Sequence, residues 1–262
     1  MHIALAQFDA GPDVAENVDT AERYVREAAA EGADLVVLPE IWNVGYFAFD
    51  EYEAGAETLD GPTVSRLGSL AADLGIHVHG GSIVERDGED LYNTSLLFGP
   101  DGTLLDTYRK VHLFGYESEE SRILTPGERV VTVETSLGTV GLTTCYDLRF
   151  PELYRALVDQ GAELLLVSSA WPRARLDHWQ LFTRARAVEE QVILAAANLV
   201  GDNRGVTLGG NSVVVDPWGT PRANAGSESR IASARVDIEE VSAAREEFPA
   251  LADRRMNLSY DL

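Results

Sequence analysis

Val140-Gly141-Leu142-Thr143-Thr144-Cys145-Tyr146-Asp147-Leu148-Arg149-Phe150-Pro151-Glu152 carries an apolar strand into a helix through a single turn. The strand is expected at about 139–144, and Pro151 suits the first turn of the helix that follows. Cys145 sits where the chain changes direction, a place that displays a side chain at a sheet edge. The nearby helix start is expected to favour its thiolate. A free cysteine is as often an inert core thiol, so position alone leaves both roles open.

The same alternation extends to both sides. Upstream, residues 2–8 read as a strand, and from Asp19 the period turns helical, with Val18, Ala21, Val25 and Ala28 on one face and Gly32 as the stop. Leu35-Val36-Val37-Leu38 reads as a buried strand ending at Pro39-Glu40, and a helix spans Pro62 to Leu74 before Gly75. Strands follow at about 76–84, 91–98 and 103–109, a loop at 111–128 and a strand at 130–134. Downstream come a strand at Leu164–Val167, a helix over about 177–190, and strands near 192–198, 211–215 and 231–236. No Ser/Pro/Gly-rich linker or charge block divides the chain, so residues 1–262 are expected to form one α/β domain of layered sheets and helices. The tail from about 239 to 262 is expected at a subunit interface.

Composition narrows the function. The chain has 262 residues, 43 acidic against 21 basic, and a net charge of −22. That balance argues against nucleic acid and against an anionic membrane surface, both of which need a basic patch. One cysteine excludes an intrachain disulfide. No run approaches the roughly 20 apolar residues of a membrane span, and the start is too short and alternating for a signal peptide, so the expected location is the cytoplasm. Of the 21 basic residues 20 are arginine, and the exception is Lys110. An acidic, lysine-poor surface is expected of a halophilic protein, where salt screens self-repulsion and carboxylates hold water. A lysine retained against that background points to chemistry.

Glu40 closes a buried strand, where ligands bind in α/β sheets, and partial burial would raise its pKa toward that of a general base. Lys110 ends the strand Thr103–Arg109; its compact ammonium can approach an oxyanion more closely than an arginine fork. The histidines offer no HExxH pair, and one cysteine builds no CxxC cluster, so no metal site is expected. A Cys–His hydrolase pairing Cys145 with His112 or His178 is the rival enzyme class, and it leaves Lys110 unexplained. Gly80-Gly81 and Gly209-Gly210 read as sites of close backbone packing. Asp147 and Arg149 read as a pair holding the turn, with Asp147 also placed to orient Lys110 or Cys145.

Taken together, Glu40 in Leu-Pro-Glu, Lys110 in Tyr-Arg-Lys-Val-His-Leu-Phe and Cys145 in Cys-Tyr-Asp-Leu-Arg-Phe-Pro-Glu resemble the Glu-Lys-Cys signature of the nitrilase superfamily of carbon–nitrogen hydrolases. Ile3-Ala4-Leu5-Ala6-Gln7, Tyr92-Asn93-Thr94, Thr125-Pro126-Gly127, Ser169-Ala170-Trp171-Pro172, Asn198 and Asp216-Pro217-Trp218-Gly219 extend the resemblance over nearly the whole chain. It implies a four-layer α-β-β-α sandwich and a homodimer or larger homo-oligomer whose outer helix layers pack together. It also implies a second glutamate in the loop after the lysine. Glu117, Glu119 and Glu120 all lie there; anchoring on Leu124-Thr125-Pro126-Gly127 selects Glu120, with Glu119 as the alternative.

The implied reaction hydrolyses a small amide through a Cys145 thioester, with Glu40 as base, Lys110 and the Tyr146 N–H as oxyanion donors, and Glu120 helping to position substrate and base. It requires no metal and no organic cofactor. Trp171 and Ala170, with Tyr46 and Phe47, are expected to line the pocket. The Cys-Tyr-Asp-Leu-Arg-Phe-Pro-Glu string is similar to the omega-amidase and deaminated-glutathione amidase branch, which implies a small carboxylate-bearing amide. Arg173 and Arg175 are candidates for the carboxylate by proximity. N-carbamoyl hydrolysis and nitrile hydrolysis on the same site stand as alternatives, with a non-catalytic binding protein on this fold ranked below them.

Overall fold

A computed structural model describes residues 1–116 and 118–256. The strands are β1 (His2–Gln7), β2 (Leu35–Val37), β3 (His77–Asp87), β4 (Asp90–Phe98), β5 (Leu104–Arg109), β6 (Thr132–Thr135), β7 (Gly138–Thr144), β8 (Leu164–Ser169), β9 (Ile193–Asn198), β10 (Asp202–Asn203), β11 (Val206–Thr207), β12 (Val213–Val215), β13 (Pro221–Asn224) and β14 (Arg230–Arg235). The helices are α1 (Val14–Ala30), α2 (Tyr52–Gly55), α3 (Pro62–Leu74), α4 (Glu120–Ile123), α5 (Pro151–Asp159), α6 (Leu176–Glu190) and α7 (Glu239–Glu247).

Two six-stranded mixed sheets form, ordered β14-β1-β2-β3-β4-β5 and β13-β12-β9-β8-β7-β6. They lie face to face: β1 and β2 contact β9, β3 contacts β8, and β4 contacts β7. Alternation along β1 explains the layering. Ile3 and Leu5 point inward to meet Leu142, Leu166 and Ala195 of the second sheet. Ala4 and Ala6 point outward to Ala21, Val25 and Ala28 of α1 and Leu67 of α3. A strand buried on both faces is therefore apolar throughout. With α5 and α6 outside the second sheet, the molecule is the expected α-β-β-α sandwich.

Most expected elements fall where the pattern put them, and α3 starts and stops as expected, with Gly75 at φ +66°. Helix α1 begins at Val14, five residues before the apolar period suggested. Asp13 caps it by accepting from the Glu16 N–H at 3.0 Å, and the buried Asn17 amide donates to the Gly11 and Asn43 carbonyls. Apolar periodicity does not register such polar anchors. The first part of the tail expected at a subunit interface folds as α7 on its own chain. Val241 and Ala244 are buried, and the Gln191 side chain donates to the Ala244 and Phe248 carbonyls at 3.2 and 2.7 Å. Residues 257–262 of that tail lie outside the described residues.

The carboxyl ends of β2, β5, β7 and β8 converge at one end of the sandwich. A bulge in β3 shapes that end. Gly81 adopts φ +64°, and a Cβ there would sit 1.9 Å from the Pro39 carbonyl oxygen, so glycine alone lets β3 close on Pro39 and Glu40. The close-packing role expected for this glycine pair follows from that contact. No helix among the described residues is long and apolar enough to cross a membrane.

Candidate active site

Three strand ends and one short helix supply the site. Glu40 follows β2, and its backbone N–H donates to the Ser169 carbonyl across the sheets at 3.3 Å. Lys110 follows β5 and is held by its own N–H to the Asn93 carbonyl at 2.8 Å. Cys145 follows β7 at φ +48°, a strained left-handed turn for a side chain other than glycine. Glu120 opens the short α4 inside the loop after Lys110.

Their side chains meet in a fully buried cluster. The Lys110 ammonium, fully buried, donates to Glu40 Oε1 at 2.8 Å and to Glu120 Oε1 and Oε2 at 2.9 and 3.0 Å. Asn93 Nδ2 donates to both carboxylates at 2.9 Å. The Ala170 N–H donates to Glu40 Oε2 at 2.9 Å, and the Tyr46 hydroxyl and Phe114 N–H donate to Glu120 Oε2 at 3.0 and 2.6 Å. Burying these charges costs several kcal/mol per ion, and only such complete hydrogen bonding makes it tolerable. The arrangement is costly for stability and rigid in geometry, which suits a site more than a strut.

Two carboxylates against one ammonium leave the cluster with excess negative charge. Burial raises the Glu40 carboxyl above its ordinary range; Lys110 opposes this and Glu120 adds to it. Burial pulls Lys110 down, but the two carboxylates outweigh it and keep the ammonium charged. Burial and the Glu40 charge hold the Cys145 thiol well above its usual value. This corrects the expectation of a resting thiolate. One short turn at a strand end supplies a small dipole, whereas full burial beside a carboxylate penalises a second negative charge far more. Cys145 therefore rests as a thiol beside Glu40.

The turn itself is fixed by Asp147. Its Oδ2 accepts from the Thr144 N–H at 2.9 Å and the Tyr108 hydroxyl at 2.7 Å. Its Oδ1 accepts from the His112 backbone N–H at 3.2 Å and lies 2.8 Å from His112 Nδ1. One carboxylate thus joins the Cys145 turn to β5 and to the segment after Lys110. Arg149 is not its partner, as the sequence had suggested. The guanidinium instead stacks over Trp171 at 4.9 Å and Phe182 at 5.3 Å. The rival Cys–His pairing does not form either. His112 bonds Asp147 and stacks on Phe150 at 3.7 Å, while His178 meets Arg149 at 3.3 Å.

A small pocket opens on Cys145, lined by Tyr46, Phe47, Phe114, Tyr146, Arg149, Ala170, Trp171, Pro172 and Arg175. Tyr46, Tyr146, Ala170 and Trp171, expected there, all line it. Of the two candidate arginines, Arg175 reaches the pocket and the exposed Arg173 does not. Arg149 does, and sequence reasoning missed it, because its place beside Asp147 suggested an ion pair. Asn93 was also missed as a site residue; its signal was the Tyr-Asn-Thr segment on a strand paired to the one ending at Lys110. Glu119 faces solvent and pairs with Arg122 at 3.0 Å, so Glu120 is the glutamate brought to Lys110; Glu117 lies outside the described residues. Among the described residues no group of three His, Cys, Asp or Glu side chains is placed to hold a metal ion.

The profile of the carbon–nitrogen hydrolase family matches residues 2–246, and the chain belongs to that family: it is an enzyme of carbon–nitrogen bond hydrolysis. Within the family it is 40% identical to omega-amidase NIT2 of Xenopus tropicalis, over 98% of this chain and 95% of that protein. Nit3 of Saccharomyces cerevisiae, a member of branch 10 of the nitrilase superfamily, superposes with a TM-score of 0.91 at 34% identity, covering 98% of this chain and 97% of its own. A glutamate-to-glutamine mutant of the amidase from Nesterenkonia sp. AN1 carries the acetamide moiety of fluoroacetamide on its active-site cysteine. It superposes with a TM-score of 0.87 at 32% identity, covering 97% of this chain and 94% of its own.

Proposed function

We propose that the enzyme hydrolyses the terminal amide of a small carboxylate-bearing substrate, giving a carboxylate and ammonia through a Cys145 thioester. The observation that carries this reading is the Lys110 ammonium bonded at 2.8–3.0 Å to two buried carboxylates, one of which faces the only thiol of the chain. Glu40 takes the Cys145 proton as Sγ attacks the amide carbon. Protonation weakens the hold of Glu40 on Lys110, which frees an N–H to bind the tetrahedral oxyanion beside the Tyr146 N–H. Glu40 then gives its proton to the departing nitrogen, and ammonia leaves. In the second half, Glu40 deprotonates a water that attacks the thioester, and the proton returns to the sulfur as the carboxylate is released. Glu120 keeps Lys110 anchored throughout.

The carboxylate of the substrate meets Arg149 and Arg175. Neither forms an ion pair with an acidic side chain among the described residues, although both line the pocket. Burial lowers the Arg149 pKa, Tyr146 and Cys145 oppose the shift, and the nearby Arg175 charge adds to it. The name omega-amidase on the NIT2 relative agrees with this chemistry. Ammonia release from a panel of amides, carbamoyl compounds and nitriles tests the reading: turnover of dicarboxylate monoamides supports it, and turnover of nitriles alone overturns it.

Residues 1–262 act as one hydrolase domain, supported by the shared core between the sheets. Its setting is a salt-rich cytoplasm, supported by the net charge of −22 and the single lysine. The enzyme works as a homodimer through the outer face of α6, where Leu181, Val188 and the neighbouring Trp218 are exposed. Neither nucleic acid nor a membrane is a partner.

A further inference from the structure

The hairpin of β10 and β11, closed by Arg204 and Gly205 at φ +54° and +82°, stands behind both walls of the Cys145 pocket. Asn203, nearly buried, accepts the Phe47 N–H on Oδ1 at 2.7 Å. Its Nδ2 lies where a Cβ on Gly45 would come within 2.6 Å, so the amide rests directly on the backbone of the Gly45–Phe47 loop. Phe47 in turn meets Tyr46 edge-on at 4.8 Å, and Tyr46 reaches Glu120. The returning strand leads to Leu208, which bridges to Pro172, and to Gly209, whose N–H donates to the Trp171 carbonyl at 2.9 Å. One hairpin therefore holds Tyr46 and Phe47, from the first half of the chain, opposite Trp171 and Pro172, from the second.

We propose that Asn203 is a positioning residue that sets the gap between these two walls, and with it the length and bulk of the acyl group admitted to Cys145. This rests on the reading of the pocket as the acyl site. Asn203 touches none of the reacting groups; it acts through the Phe47 N–H. A shift of the loop moves the Phe47 ring first, because Tyr46 is tied to Glu120 at 3.0 Å, and the bonds of Lys110 and Asn93 to Glu40 do not run through the loop, so selectivity changes more than chemistry does.

Two variants separate the hydrogen bond from packing. Asn203→Leu keeps the branched shape and removes the acceptor; Asn203→Asp keeps the acceptor. For a dicarboxylate monoamide, Asn203→Leu should raise KM about tenfold with kcat within about threefold, while Asn203→Asp stays within about threefold of wild type in both. Independently of turnover, Asn203→Leu should raise the Cys145 alkylation rate of N-cyclohexyl iodoacetamide relative to iodoacetamide several-fold, with the iodoacetamide rate unchanged. An unaltered KM with an unaltered alkylation ratio overturns the proposal. So does an Asn203→Asp variant as impaired as Asn203→Leu, or an iodoacetamide rate that falls with kcat. A wild type that releases no ammonia overturns the amidase reading instead, and the alkylation ratio then decides the role of Asn203.

Discussion

Lys110 Nζ lies 2.8 Å from Glu40 Oε1, and neither side chain reaches solvent. The pair is set by two strands of one sheet, β2 and β5, with β3 and β4 between them. Its position depends on the fold more than on local flexibility. Replacing Lys110 by arginine keeps the charge but puts a planar fork where three acceptors surround a point donor. Lys110→Arg should lower kcat/KM by roughly 10³-fold with the circular dichroism spectrum retained. Near-wild-type ammonia release from that variant would remove Lys110 from the mechanism.

Asn93 donates to Glu40 and Glu120 through one amide group. Burial already holds the Glu40 carboxyl above its ordinary 4.5, so activity should fall as pH drops through that raised value. Asn93→Ala removes a donor to the carboxylate and raises its pKa further. The acid limb of kcat/KM should move to higher pH, and the plateau should drop by roughly 10²-fold. A pH–rate profile of the variant checks both; an acid limb that stays in place separates Asn93 from the base.

Asp147 joins the Cys145 turn to the Lys110 segment with four hydrogen-bond contacts. In Asp147→Asn one oxygen becomes an NH₂ facing groups that donate. Turnover should fall at least tenfold, and alkylation of Cys145 by iodoacetamide should slow in parallel, because the sulfur and Lys110 lose their shared anchor. Unchanged alkylation with lowered turnover would assign Asp147 a role other than placing the thiol.

Arg149 lines the Cys145 pocket, and the proposed reading sets it against the far end of the substrate. Arg149→Gln should raise KM for a carboxylate-bearing amide about 10²-fold and leave a neutral amide of equal length within about threefold. Steady-state kinetics on the two substrates provide the comparison. An equal loss on both would give Arg149 a packing role over Trp171.

Glu190, at the end of α6, has its carboxyl pushed up to about 7 by burial, with Arg155 at 3.2 Å opposing the shift. The folded chain binds this proton more tightly than the unfolded chain, whose value is near 4.5. Its contribution is therefore full below pH 4.5 and is lost as pH rises through about 7. Relative to Glu190→Gln, the wild type should lose up to about 3 kcal/mol between pH 5 and 8. Urea unfolding of both proteins at the two pH values measures the difference, and parallel curves would refute it.

The layered α/β pattern was legible because the strands buried on both faces are continuous apolar runs and α3 carries its own punctuation at Pro62 and Gly75. Glu40, Lys110 and Cys145 each follow the end of a strand, and that position is itself a local signal. What the sequence hid depends on register or on competition between forces. Asn93 bridges two carboxylates only because β4 pairs with β5 so that its carbonyl takes the Lys110 N–H. Arg149 leaves its neighbour Asp147 because Thr144, Tyr108 and His112 already fill that carboxylate, and Trp171 offers a face instead. The thiolate expectation fails because burial exceeds the dipole of one turn. Asn203 gives no signal at all: a two-residue strand has no periodicity, and its target lies 156 residues away.

In the proposed reaction an amide nitrogen leaves while its acyl group stays on Cys145. Rapid-quench mass spectrometry of the wild type with a dicarboxylate monoamide measures this directly. An acyl adduct is expected on the peptide containing Cys145, formed with one equivalent of ammonia and absent in Cys145→Ala. Ammonia released at the wild-type rate by Cys145→Ala, or an adduct on any other residue, would contradict it.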